Sequence, residues 1–285
     1  MPHDRLRFGF SPCPNDTFAF WAAVHDEVAT PLAFAPVLAD IEALNERAVA
    51  STDALPITKL SLPALAHCLD RYAVLSSGAA LGFGCGPLVV CRDDASLRHF
   101  EQVASRRVAI PGRHTTANLL LTSLLGAPFE AVPMRFDQIM PAVAAGECDA
   151  GLVIHESRFT YREHGLRELA DLGVLWERVT GGPLPLGVIA AQRSLGGDVI
   201  AQVEAALRAS VQFARSSPER PRAWIREHAQ ELADDVCDRH IALYVNDFSE
   251  DLGDAGRAAI DELLRRGRDA GLLPAGGTPW WEGAA

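Results

Sequence analysis

No two cysteines in this sequence stand at C-x-x-C spacing, and none has a histidine where a structural zinc site would need one. The six (Cys13, Cys68, Cys85, Cys91, Cys148, Cys237) are scattered, a pattern of reduced thiols rather than a metal or disulfide framework. Long apolar runs are also missing. None approaches the roughly 20 residues needed to cross a bilayer, and Leu184 to Gln192 reads as a buried strand. Arg5 and Arg7 sit in a strand-like pattern with no apolar stretch and small-residue cleavage site behind it, so export is not expected. Positive charge is in deficit: 26 Lys plus Arg against 37 Asp plus Glu give a formal net charge of −11. With no basic patch, nucleic acid and anionic membrane are poor partners. The G-x-S-x-G elbow, the G-x-x-x-x-G-K-[ST] loop and the H-E-x-x-H pair are absent, and Gly82 to Gly86 lacks G-x-G-x-x-G spacing, which disfavours hydrolase, nucleotide-binding and zinc chemistry.

What remains is a chain of 285 residues, 48% hydrophobic and 22% charged, able to bury a sizeable core or two smaller ones and too apolar to be disordered. Leu6, Phe8 and Phe10 alternate as in a strand. The chain then breaks at Ser11 to Asp16, and Thr17 to Asp26 reads as a helix with Asp16 as its N-cap. Leu32 to Leu38 reads as a strand, and Asp40 as the cap of a helix through Ala48. Asp53 to Ile57 leads into Thr58-Lys59-Leu60-Ser61. Strands are expected at Tyr72 to Ser76 and Pro87 to Arg92, separated by a glycine-rich loop from Gly78 to Gly86. A second rhythm gives strands at Arg107 to Ile110, Glu130 to Met134 and Ala150 to Ile154, with helices at Thr115 to Leu125 and Gln138 to Ala145. After one more strand to about Ala191, apolar residues at helical spacing predict helices over Val199 to Ser216, Arg222 to His228, Asp234 to Tyr244 and Asp254 to Ala270.

Alternating strands and helices imply an α/β protein with mainly parallel sheets. The expected layout is two lobes, 1–94 plus 188–285 and an inserted 95–187, as in a two-lobed type II periplasmic-binding-protein fold with an interlobe cleft. In such sheets ligands bind beyond the carboxyl ends of the strands, which directs attention to four loops. Ser11 to Asp16 is stiffened by two prolines and brings Asn15 and Asp16 to a helix start; the plainer reading is a rigid turn with a cap. Thr58 to Ser61 offers an ammonium and hydroxyls suited to a carboxylate, although a lone lysine is more often a solvated surface charge. Arg113 to Thr116 offers hydroxyls and free helix N–H groups for an anion, although Thr115 can simply cap. The fourth loop carries His155 directly after a strand, where an imidazole can accept a proton near neutral pH. Glu156 is a weak candidate to orient the ring. The other eight histidines read as structural or solvated.

The segments Ser11-Pro12-Cys13-Pro14-Asn15-Asp16-Thr17-Phe18, Asp53 through Ser61, Gly86-Pro87-Leu88, Pro111-Gly112 through Thr115-Thr116, Ile154-His155-Glu156 and Pro183 to Gly187 resemble those of the 1,4-dihydroxy-6-naphthoate synthases of the futalosine-dependent route to menaquinone. They occur in order and span the chain to about residue 190. The resemblance implies a binding-protein fold turned into a cytoplasmic carbon–carbon lyase without a cofactor. Its substrate would be the small molecule cyclic dehypoxanthinyl futalosine. It places the base on His155 and substrate contacts on Lys59, Leu60, Ser61, Thr115 and Thr116; the polar loop at the start of the first helix adds Asn15. Ser157 stands where the family pattern leads one to expect glycine. Two rival readings stay open: a chorismate dehydratase of the same pathway, and a non-catalytic small-carboxylate-binding protein.

Overall fold

The computed structural model describes residues 5–229, 233–276 and 278–281. The chain forms two compact units, one of Met1–Gly82 with Pro185–Ala285 and one of Phe83–Leu184.

The first unit begins with β1 (Leu6–Phe10), α1 (Pro14–Val24), β2 (Phe34–Leu38), α2 (Ile41–Ala50), β3 (Ile57–Ser61), α3 (Leu62–Ala66), β4 (Tyr72–Val74) and β5 (Ala80–Gly82). The second unit carries β6 (Leu88–Arg92), β7 (Arg107–Ile110), α4 (Thr116–Leu125), β8 (Glu130–Pro133), α5 (Phe136–Ala144), β9 (Ala150–Val153), α6 (Ser157–Thr160), β10 (Leu166–Asp171) and α7 (Leu172–Thr180). The chain returns to the first unit through β11 (Leu184–Gln192), then α8 (Gly197–Ser216), α9 (Arg222–His228), α10 (Asp234–Tyr244), α11 (Asp247–Glu250) and α12 (Gly253–Asp269).

In the first sheet the order is β2-β1-β3-β11-β4, with β5 also on β11. β1 runs parallel to β2 and β3, while β11 runs antiparallel to β3 and β4. In the second the order is β10-β6-β9-β7-β8, parallel at β7–β8 and β7–β9 and antiparallel at β6–β9 and β6–β10. The sheets are therefore mixed, not mainly parallel, because the strands on which the chain enters and returns (β6 and β11) oppose their βαβ neighbours. Pairing of β6 with β9 and β10 also puts the first unit boundary at Gly82/Phe83, earlier than residue 94.

The core of the first unit is aromatic. Phe8, Phe10, Phe20 and Phe34 cluster with ring centroids 4.7–6.2 Å apart, in tilted and edge-on arrangements that aromatic quadrupoles favour. Ala19 and Ala23 of α1 let Val203, Leu207 and Val211 of α8 approach the same cluster. Ser210 of α8 locks that contact, donating to the Ala19 carbonyl (2.8 Å) and accepting from the Ala23 amide (3.0 Å). In the second unit Leu88, Val90, Ala109 and Val153 pack beneath Ile139, Met140 and Val143 of α5. Among the described residues no helix is long and apolar enough to cross a membrane.

Candidate active site

Pro14 decides where α1 begins. Its fixed φ and missing N–H suit the first helical turn, so the helix starts there, with Cys13 as N-cap. Asp16 is consequently inside the first turn and does not cap the helix. It is 2% exposed, and its carboxylate accepts four hydrogen bonds: from the Ser11 amide (3.1 Å) and hydroxyl (2.6 Å), from Asn15 Nδ2 (2.8 Å) and from Lys59 Nζ (2.5 Å). Four acceptances fill a carboxylate's lone-pair sites.

Lys59, Leu60 and Ser61 lie within β3 rather than in a loop beyond it, paired with Ile189, Val188 and Gly187 of β11. Alternation along a strand puts Lys59 and Ser61 on one face and Leu60 on the other. Leu60 is fully buried, so only its backbone has anything to offer a ligand. Ser61 is clamped by Asn45 of α2, which accepts from its amide (2.9 Å) and donates to its hydroxyl (3.1 Å). Lys59 is the only lysine in the chain; every other basic side chain counted with it is arginine. That uniqueness was a signal available in the sequence. The Lys59 ammonium is a compact point charge with three donors on a flexible stem, and here it is buried. Because β1 and β3 are parallel neighbours, the Ser11 to Asp16 loop and the end of β3 emerge at the same edge of the sheet.

In the second unit β7 and β9 are likewise parallel neighbours, so the Thr115 and His155 loops leave one sheet edge together. Thr115 does cap α4: its hydroxyl accepts from the Asn118 amide (3.2 Å) and donates to the Gly112 carbonyl (2.9 Å). Thr116 opens the helix, 2% exposed. His155 has a left-handed backbone, φ 57°, which costs an L-residue energy and is tolerated better by His, Asn and Asp than by most. Its ring meets Phe136 of α5 edge-on at 4.9 Å.

The segment after His155 is tied down by residues the sequence did not flag. Its carbonyl accepts from the Arg158 amide (3.3 Å). The Arg158 guanidinium donates to the Gly86 carbonyl and pairs with Asp171 at 2.6 Å. Asp171 at the same time caps α7 through the Gly173 and Val174 amides (2.8 and 3.1 Å). Glu156 is buried (3% exposed) and opens α6. Thus the candidate residues form two groups, Asn15, Lys59 and Ser61 on the first sheet and Thr115, Thr116 and His155 on the second.

A model of the menaquinone-biosynthesis family matches residues 6–269. The chain belongs to this family. It is 49% identical over 269 residues to a curated 1,4-dihydroxy-6-naphtoate synthase of Thermus thermophilus, covering 94% of this chain and 96% of that one. A protein of the same name from Streptomyces coelicolor is 47% identical over 281 residues, covering 96% and 97%. Among solved structures, a protein from Archaeoglobus fulgidus superposes with a TM-score of 0.88 at 35% identity, covering 96% of this chain and all of that one. A Candida albicans protein described as having the generic periplasmic-binding-protein fold matches with a TM-score of 0.68 at 15% identity, over 96% and 92% of the two chains. That likeness concerns architecture alone: this menaquinone-biosynthesis protein has a periplasmic-binding-protein-like fold.

Proposed function

We propose that the chain is a 1,4-dihydroxy-6-naphthoate synthase, a lyase that converts cyclic dehypoxanthinyl futalosine to 1,4-dihydroxy-6-naphthoate, with His155 as its general base. The observation that carries the reading is the placement of His155 in a member of this family: an imidazole at a strand's carboxyl end, in a left-handed backbone whose carbonyl accepts from the amide of Arg158, itself paired with Asp171. A strained and braced side chain of this kind is what a fixed proton acceptor needs.

In the proposed chemistry His155 removes a substrate hydroxyl proton. The oxygen's electrons form a carbonyl as the neighbouring carbon–carbon bond breaks, in a retro-aldol-like step. The electron pair of that bond passes to the departing carbon, which takes up a proton, and aromatisation of the ring system draws the sequence forward. Lys59, Ser61, Thr115 and Thr116 supply donors for the carboxylate and hydroxyls, and Leu60 contributes through its backbone. Asn15 is reassigned from direct contact to support of the group around Lys59, since its amide bridges Asp16 and His240. The six cysteines are buried thiols outside any disulfide, which suits the reducing cytoplasm in which we place the enzyme.

The test is turnover of cyclic dehypoxanthinyl futalosine by the purified chain, with chorismate in parallel, followed by absorbance and mass spectrometry. Naphthoate from the first substrate supports the synthase; its absence, or dehydration of chorismate, would sink that assignment. His155→Asn keeps a residue that tolerates the left-handed backbone and should lower turnover by about two to four orders of magnitude, a general base's usual share. Unchanged turnover in that variant removes His155 from the role.

A further inference from the structure

We propose that His240, on α10, is a positioning residue for Lys59, acting across a buried relay through Asn15 and Asp16. The direction of every hydrogen bond in the relay is dictated by the one before it. An ammonium only donates, so Asp16 Oδ1 is the acceptor of the 2.5 Å contact with Lys59. The same carboxylate is filled on its other oxygen by the Ser11 amide and hydroxyl, and an ionised carboxylate has nothing to donate. Asn15 must therefore present its NH₂ end to Asp16, at 2.8 Å. That turns its Oδ1 toward His240 Nε2, at 2.9 Å. An amide oxygen cannot donate, so the proton on this edge of the imidazole belongs to Nε2.

All four side chains are 5% exposed or less, His240 only 1%. His240 reaches Asn15 across 225 positions of sequence. It is brought there by α10 packing on α1, where Cys237 meets Phe18, and its ring lies 4.6 Å from that of Tyr244. An asparagine amide is nearly symmetric in shape, so packing alone does not choose which end faces Asp16. Asp16, which can only accept, makes that choice, and the Nε2 proton of His240 holds the turned amide in place from its other end. With the amide fixed, the carboxylate is held on both oxygens, and the ammonium that rests on it keeps its two remaining N–H bonds in one direction. A merely space-filling histidine would leave Lys59 indifferent to its replacement.

The kinetic arm of the test rests on the proposed synthase activity; the spectroscopic arm does not. Because Lys59 is the only lysine, the full chain grown with ¹⁵N-lysine gives a single side-chain ammonium resonance, sharp only if the group is ordered. His240→Phe keeps a ring and removes the donor; His240→Gln restores an N–H near the position of Nε2. The expected result is a shifted or broadened ammonium signal in His240→Phe and a near-native one in His240→Gln. In kinetics, His240→Phe should raise KM for cyclic dehypoxanthinyl futalosine about tenfold, the size of one hydrogen bond to a charged group, with kcat changed far less. His240→Gln should recover most of that loss. Added to Lys59→Met, His240→Phe should raise KM no further, since its route to substrate is already cut. An unaltered ammonium signal in His240→Phe, or effects of His240→Phe and Lys59→Met that multiply, would overturn the proposal. If His240→Phe does not fold, Asn15→Ala cuts the same relay, and an ammonium signal unchanged there is equally fatal. A wild-type chain that turns over no substrate would sink the synthase reading while the ammonium signal still decides the relay.

Discussion

Replacing Asp16 with asparagine should destabilise the first unit more than replacing its partner, Lys59, with methionine. The two deletions strand different charges. Without its charge, residue 16 leaves an ammonium that is 5% exposed and has, among the described residues, no other ion-pair partner. Breaking a buried pair this way costs about 3–5 kcal/mol. Asparagine still offers one acceptor, so a value near 3 kcal/mol is expected. Lys59→Met strands a carboxylate instead, but one that keeps the Ser11 amide, the Ser11 hydroxyl, the Asn15 amide and the positive end of α1. Its cost should be about 1.5 kcal/mol, the low end for one hydrogen bond to a charged group, since the other three acceptances survive. Urea unfolding read by Trp21 and Trp224, both in the first unit, gives the comparison. At a slope of about 2–3 kcal/mol per molar, Asp16→Asn should lower the midpoint by roughly 1–1.5 M and Lys59→Met by about half that. The reasoning is refuted if Lys59→Met is the more damaging change, or if neither variant shifts the midpoint.

Three further outcomes are expected. At position 155, glycine should be more stable than alanine by about 1 kcal/mol in thermal unfolding, inverting the usual order, because only the left-handed backbone separates them; a more stable alanine variant would contradict the assigned φ. Gly86→Ala would set a Cβ 2.1 Å from the backbone nitrogen of Gly173, which cannot yield as a side-chain tip can. We expect a loss of about 2–3 kcal/mol, read by Trp176 fluorescence, against a neutral or mildly stabilising Gly197→Ala, where nothing lies within 4 Å. Burial pushes the Cys85 thiol up to about 12 and that of Cys68 up to about 11 from an ordinary 9.0. Below pH 8 both are neutral in either state and cost nothing. Above pH 9 the unfolded chain ionises them and the folded chain does not, so stability should fall as pH rises, by about 1.4 kcal/mol per pH unit for each thiol. Urea midpoints at pH 8 and pH 10.5 should show the fall, and Cys85→Ala should flatten it.

Much of the fold was legible where periodicity or capping was strong. Asp40 capping α2 and Thr115 capping α4 were readable because each lies directly before the helix it caps. Helices α9 and α10 begin and end where their apolar spacing placed them. β10 and α7 went unread because β10 is mostly half-buried and lacks a clean alternation. β5 was hidden in what looked like a glycine-rich loop, a short strand stabilised by pairing with the distant β11. Of the site, His155 and Lys59 could be singled out from the sequence by their places in strand and loop. His240 could not. Its role depends on α10 meeting α1, a tertiary contact that helical spacing does not specify, and its own surroundings in sequence look like those of a surface histidine. Asp16 was misread for a local reason: Pro14 starts the helix three residues earlier than an Asp16 cap would place it.

The position of β11 in the first sheet has a consequence for synthesis on the ribosome. β3 is flanked on one side by β1 and on the other by β11, yet about 120 residues separate the two flanking partners' claims on it, all of the second unit among them. At typical elongation rates that interval lasts roughly 6–25 seconds, during which β3 presents an open edge to any passing strand. Lys59 sits at the centre of that edge, and a charged, inward-pointing side chain on an open strand is a recognised deterrent to foreign pairing. The lysine that the finished protein tucks against Asp16 is thus the one charged residue on the strand edge that waits longest for its neighbour.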